Sequence, residues 1–270
     1  MPSSPSFTAI GYGSQVEPSQ DPDLQDINAV GTENVVAYTL GKQQDLFKIT
    51  YNPVDSNFIK RAANAVSWTT PTGTIAETFS MLYSILMNGA ENFITLNGCR
   101  INTMKLSLTA GNPLKVDAEV WAQYLNAPTT SPPAGTPVYA SQVTGAPWNY
   151  SDGGTTPVTI GGVNIPLTEI ELDIATNLKR LHVLQSTKQI DVPPTKRGFT
   201  GKMTVVWSSA AYMTDLEALT ESSLIWNLKN SVSTLTLTNM VFKKLDSLTT
   251  SPDDVVYEKY DFSAMSCAVT

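Results

Sequence analysis

The sequence has few of the residues from which most enzyme and metal sites are built. It contains one histidine, His182, and two cysteines, Cys99 and Cys267, among 270 residues. A zinc site needs three or four clustered ligands, and cysteine catalysis needs a Cys–His pair. Neither spacing occurs, and no GxSxG, GxGxxG or P-loop motif is present. We therefore expect no enzyme activity, no metal and no cofactor. The cysteines are predicted to be free and apolar in behaviour, with a disulfide between them as the alternative.

Charge is also scarce, and most of it is negative. Charged residues make up 15% of the chain, apolar residues 41%, and the net charge is −7. This balance argues against a protein that binds nucleic acid by neutralising phosphates. A surface with few charges suits extensive contact with other protein chains, because interface cores are depleted of charge. No apolar run reaches the length of a transmembrane helix, and the first residues do not have the pattern of a secretory signal.

The clearest positive signal is a strand pattern within residues 97–123. Apolar and polar residues alternate over 104–108, and the alternation resumes over 114–121 after the turn residues Gly-Asn-Pro. Because successive strand side chains point to opposite faces, each strand has one apolar and one polar face. The sequence therefore predicts an antiparallel hairpin with one face on a core and the other in water.

A similar pattern returns within residues 161–207. Apolar and acidic residues alternate over 169–174, and the return strand ends in Trp207, as the first hairpin ends in Trp121. The shared order favours a degenerate internal duplication. Two unrelated amphipathic hairpins are the alternative.

Helices are predicted at three places. One runs from Asp55 through Ala63, a longer one covers 75–86, and one begins at Thr214 or Asp215. The apolar face of the longer helix is expected to lie on a sheet, with contact to a partner as the alternative. Further strands are predicted at 45–51, 233–242 and 255–264. The fold class is therefore mainly β, a β-sandwich with one or two flanking α-helices.

The chain divides into an extended arm, residues 1–44, and a sandwich domain, residues 45–270. The arm is rich in Ser, Pro, Gly, Gln and Asp, so it is expected to fold against something else. An irregular insertion at 126–157 is dense in Pro, Thr, Ser and Gly. Loops of this length are usually functional or mobile.

Two groups of charged side chains are candidate functional surfaces. The first is the polar faces of the two hairpins, which carry Lys105, Lys115, Asp117, Glu119, Glu169, Glu171, Asp173 and Lys202, a net charge of −2. The second is the loop 178–198, which contains only one acidic residue, Asp191. Its five basic residues are Lys179, Arg180, Lys188, Lys196 and Arg197. This loop is expected to dock on an acidic surface of another copy, for which residues 1–45 are one candidate. A solvated charged loop is the alternative.

The order of these segments resembles the major tail tube proteins of tailed bacterial and archaeal viruses. The resemblance covers about residues 45–265 and is carried by NGCRIN, TIGGVNIPLTEIELDI, RGFTGKMTV and YEKYDFSA. It implies the fold shared with the tubes of type VI secretion systems. It also implies a structural virion protein that forms hexameric rings, whose hairpins join into an inter-subunit β-barrel. The stacked rings form a hollow tail tube through which viral DNA passes during ejection.

The resemblance also implies roles and partners. The eight polar-face residues would line the lumen, where a like-charged wall keeps DNA from binding, and the loop 178–198 would reach the next ring. The implied partners are other copies, a tape-measure protein, a tail terminator, and baseplate or distal tail proteins, with DNA only in transit. The protein would assemble in the host cytoplasm and reside in the virion tail. The alternatives are another tail component of the same fold (a baseplate or terminator ring) and an extracellular carbohydrate-binding or adhesive β-sandwich.

Overall fold

The fold is mainly β in a computed structural model of the chain. The structure describes residues 10–21, 24–28, 35–40, 44–63, 78–131, 145–182, 184, 190–206, 218–230, 232–249 and 256–270. Within these ranges there is one helix, α1 (Asn57–Ala63). Eight strands precede the insertion: β1 (Gly11–Asp21), β2 (Leu24–Asn28), β3 (Val35–Leu40), β4 (Gln44–Pro53), β5 (Phe79–Met87), β6 (Ala90–Thr109), β7 (Lys115–Ala122) and β8 (Tyr124–Leu125). Eight follow it: β9 (Val158–Ile160), β10 (Val163–Asn164), β11 (Leu167–Ala175), β12 (Gly198–Val206), β13 (Ser222–Lys229), β14 (Ser233–Thr249), β15 (Tyr257–Ala264) and β16 (Ser266–Val269).

Most strands belong to one large antiparallel sheet. Its main part, here called the main sheet, has the order β1-β4-β7-β6-β11-β12-β15-β14. The two predicted hairpins, β6–β7 and β11–β12, lie side by side in it, joined through β6 and β11. The duplication stays a prediction.

Two long strands connect the main sheet to further layers. The first half of β14 pairs with β13 and β16, whereas its second half pairs with β15. The first half of β6 likewise pairs with β5 and β8. The result is a β-sandwich-like fold, so the predicted fold class is confirmed.

One hydrophobic core lies between these layers. Alternate residues of the strands face it, as in β7, where Val116, Ala118, Val120 and Ala122 are buried and the residues between them are not. The prediction of free cysteines is confirmed, since Cys99 and Cys267 are both unpaired and buried. Burial raises the pKa of each thiol to about 12, so the reactive thiolate is scarce at neutral pH.

The predicted helix over 75–86 is wrong. Phe79–Met87 forms strand β5, which pairs with β6 across the turn at Asn88 and Gly89. Both turn residues have positive φ, 52° and 78°, as a two-residue hairpin turn requires. This segment is apolar at almost every position, so spacing alone could not distinguish a strand from a helix.

The short helix is confirmed. Asp55 Oδ1 accepts a hydrogen bond from the Asn57 backbone N–H at 2.9 Å, which caps the helix at its first residue. The helix predicted from Thr214 or Asp215, and the end of the second hairpin at Trp207, lie outside the described residues.

Parts of the arm and of the insertion pack on the sandwich. β1 pairs along β4 at an edge of the main sheet. In the insertion, Trp148 is buried. Its backbone N–H donates to the Pro53 carbonyl at 2.9 Å, and its backbone carbonyl accepts from the Leu114 N–H at 2.7 Å. The division into arm, domain and insertion stays a prediction.

Gly201 in β12 is a position where a side chain does not fit. A Cβ there would lie 2.3 Å from both the Glu171 carbonyl oxygen and Phe262 Cζ. Gly201→Ala is therefore expected to lower the free energy of unfolding by about 1–3 kcal/mol, as overpacking typically does. Gly198→Ala is the matched control, because a Cβ at the start of the same strand meets nothing within 4 Å. Equal melting temperatures for the two variants would contradict this expectation.

Candidate functional site

The eight predicted polar side chains lie on one face of the main sheet. Residues directly opposite each other on neighbouring strands share a face. Lys105 on β6 lies opposite Asp117 on β7 and Asp173 on β11. The register places the remaining five on the same side: Lys115, Glu119, Glu169, Glu171 and Lys202.

The same face continues onto strands that lie far from the two hairpins in the sequence. Strands β1, β4, β14 and β15 add three lysines and three carboxylates: Lys48, Lys244, Lys259, Glu17, Asp246 and Asp261. We call these fourteen side chains the polar face. They comprise six lysines and eight carboxylates, so the net charge is again −2. Only the strand register could have found the additional six, because their strands are distant in sequence.

Most ammonium groups on the polar face are paired with carboxylates. Four lysines form such pairs, at Nζ–O distances of 2.8 Å for Lys105–Glu171, 3.1 Å for Lys115–Asp117, 3.7 Å for Lys202–Asp261 and 2.7 Å for Lys244–Asp246. The hydrogen bond to Glu171 raises the pKa of Lys105. Partial burial raises the pKa of Asp173, and Lys105 opposes this shift. Lysines and carboxylates face each other on neighbouring strands of this surface, and the carboxylates exceed the lysines by two.

Glu119 differs from the other polar-face carboxylates, because its Oε1 accepts two hydrogen bonds within the chain. The donors are Asn102 Nδ2 at 2.8 Å and Trp121 Nε1 at 2.6 Å. This accounts for the tryptophan at the end of the polar face. The guanidinium carbon of Arg180 lies 3.8 Å from the centroid of the Trp121 ring and covers it.

The basic loop 178–198, here called the finger, connects β11 to β12. The structure separates its basic residues into two kinds. Lys179 and Lys196 are exposed, whereas Arg180 stacks on Trp121 and Arg197 donates to the Ala63 carbonyl at 3.4 Å. Burial lowers the pKa of Arg197. Lys188 lies outside the described residues.

Candidate metal ligands are scattered over the described ranges rather than clustered. These ranges contain no group of three or more His, Cys, Asp and Glu side chains that could hold a metal ion. No helix among the described residues is long and apolar enough to cross a membrane.

Comparison with known proteins agrees with the resemblance. The family model for the phage tail tube protein matches residues 12–264 of this chain. No curated protein matches the chain. The chain belongs to the phage tail tube protein family, and it is therefore a structural protein of the viral tail.

Proposed function

We propose that copies of this chain form rings that stack into a hollow tube, with the polar face lining the lumen through which viral DNA passes during ejection. The resemblance gives six copies in each ring. The observation that carries the proposal is the gathering of all eight predicted side chains on one face, with four of its six lysines held by carboxylates.

The paired lysines matter for the passage of DNA. DNA binds non-specifically when free Lys and Arg side chains replace the counterions of its phosphates. On the polar face Lys105 and Lys202 already have carboxylate partners, and the excess charge is negative. A wall of this kind attracts phosphates weakly, so DNA slides past it.

Closing a ring requires that the main sheet continue from copy to copy. Its first strand, β1, and its last, the second half of β14, have no further partner strand among the described residues. Eight antiparallel strands place these two edges in opposite directions, so a neighbouring copy related by rotation continues the antiparallel pattern. On the polar face, β1 carries Glu17, and β14 carries Lys244 together with its ion-pair partner Asp246. Joining the two strands removes two open edges, which otherwise promote aggregation.

The same proposal assigns the remaining partners. The finger contacts the next ring, and the tube ends contact a tail terminator and baseplate or distal tail proteins. A tape-measure protein occupies the lumen during assembly in the host cytoplasm.

Electron microscopy of the purified protein tests the proposal directly. Long hollow rods are the expected result. Closed single rings would instead indicate a terminator or baseplate component, and monomers that bind glycans would indicate an adhesive sandwich.

A charge reversal tests the position of the polar face. Glu169→Lys with Asp173→Lys leaves the four ion pairs intact and changes the net charge of the face from −2 to +2. Rods of this variant are expected to bind a short DNA duplex, with affinity that falls steeply with salt, whereas wild-type rods do not.

Glu221→Lys is the control for this charge reversal, because Glu221 is exposed and precedes β13, outside the main sheet. Equal DNA binding by the control and the double variant would place the polar face away from the lumen.

A further inference from the structure

The base of the finger is a short two-stranded ribbon. The Leu181 N–H donates to the Asp191 carbonyl at 3.0 Å, and the Ile190 N–H donates back to the Leu181 carbonyl at 2.9 Å. Nearer the sheet, the Lys179 N–H donates to the Pro193 carbonyl at 2.9 Å. An isolated two-stranded ribbon is marginally stable in water. The direction of the finger therefore depends on the side chains that hold its base.

Arg180 holds one side of this ribbon against the main sheet. Its guanidinium carbon lies over the Trp121 ring, 3.8 Å from the centroid, and its Nη1 donates to Gln44 Oε1 on β4. Arginine suits this position better than lysine, because its planar guanidinium stacks on an aromatic ring while its N–H groups donate at the edge.

Glu119 connects this stack to the point where the finger leaves β11. It orients the Trp121 ring through Nε1, and the same carboxylate oxygen holds Asn102 Nδ2. Asn102 Oδ1 in turn accepts a hydrogen bond from the Leu178 N–H at 3.1 Å. Hydrogen bonds to an ionised carboxylate are stronger than neutral ones. One carboxylate therefore fixes both the ring under Arg180 and the first residue of the finger.

The other side of the ribbon is held by a partly buried ion pair. Arg100 Nη1 lies 3.0 Å from Asp191 Oδ1, and the arginine side chain is 5% exposed. Burial lowers the pKa of Arg100, and Asp191 opposes this shift. Gln123 Nε2 donates to the Ile190 carbonyl at 3.1 Å beside the pair. The finger is thus attached to the sheet along both of its edges.

We infer that Arg180, Trp121, Glu119 and Asn102 form a latch that fixes the direction in which the finger leaves the sheet. Arg180 and Trp121 are then positioning residues for ring stacking, and the exposed Lys179 and Lys196 are left to contact the next ring. The latch is a property of a single chain, and its consequence for stacking rests on the proposed function.

Arg180→Lys separates the latch from simple charge, because it keeps the positive charge and loses the planar stack. Trp121→Leu removes the ring, whereas Trp121→Phe keeps a ring without the N–H. The matched control is Lys179→Arg, at the neighbouring exposed position. The first measurement is the rate of trypsin cleavage within 178–198 in unassembled protein, since all four variants keep the trypsin sites.

Arg180→Lys and Trp121→Leu are expected to raise this rate about fivefold to tenfold, as loss of a desolvated cation–π contact would. The Lys179→Arg rate should stay at the wild-type value, and Trp121→Phe should lie between. Combining Arg180→Lys with Trp121→Leu should add little, because both remove the same contact. An unchanged rate in Arg180→Lys overturns the latch, whatever the protein assembles into.

The second measurement is rod elongation from preformed rings. The latch predicts that Arg180→Lys forms rings normally and elongates slowly, whereas stacking by charge alone predicts normal elongation. Faster cleavage together with normal rods would overturn the positioning role. If the wild-type protein forms no rods, the proposed function fails and the stacking role fails with it, while the cleavage rates still decide whether the latch exists.

Discussion

Reversing the charges of Lys179 and Lys196 is expected to abolish rod growth and to leave the rings and the melting temperature unchanged. Both side chains are exposed on the finger, and among the described residues neither pairs with a carboxylate. Exposed substitutions of this kind usually change the free energy of unfolding by no more than about 0.5 kcal/mol. Like charges placed at an interface between copies, in contrast, cost several kcal/mol at each contact. A rod multiplies that cost over every ring.

The experiment compares Lys179→Glu/Lys196→Glu with the charge-preserving Lys179→Arg/Lys196→Arg. Rod length is measured by electron microscopy, ring formation by the mass of the assembled species, and folding by thermal unfolding. Arg180 and Arg197 are left unchanged, because they contact Trp121 and Ala63 within the chain and their reversal would disturb the fold. Normal rods from the double glutamate variant would show that the finger does not stack rings through these charges.

Replacing the Trp148 side chain by that of alanine is expected to cause a large loss in the free energy of unfolding. The side chain is 1% exposed within the core, although it belongs to the irregular insertion. Removing a buried tryptophan leaves a large cavity, so Trp148→Ala should lower the free energy of unfolding by about 3–5 kcal/mol. Its backbone hydrogen bonds to Pro53 and Leu114 join the insertion to the end of β4 and to the residue before β7.

Chemical denaturation of unassembled protein measures this loss. The neighbouring Tyr150→Ala is the control: its side chain is exposed, and the expected change is within about 0.5 kcal/mol. Trp148→Phe should fall between the two, since it retains part of the volume. A Trp148→Ala variant as stable as Tyr150→Ala would mean that the insertion does not form part of the core.

Residues in the insertion and in the finger have roles that no local sequence pattern indicates. Trp148 lies in a Pro-rich stretch without periodicity, so no local pattern distinguished it from an exposed loop residue. The charge of Arg180 is visible in the sequence, whereas its contact with Trp121, which lies 59 positions earlier, is not. The predicted helix over 75–86 is wrong because Phe79–Met87 is apolar at almost every position, and such a segment fits both periods.

The amino-acid sequence by itself determined which residues of the two hairpins share the polar face. Side chains in a strand alternate between two sides, so a pattern such as 169–174 assigns each residue to a side before any partner strand is known. Only the tertiary structure decided which strands lie beside the hairpins, which lysines have carboxylate partners, and how the finger is held. These depend on register and on contacts between segments far apart in the chain, and local periodicity carries no information about them.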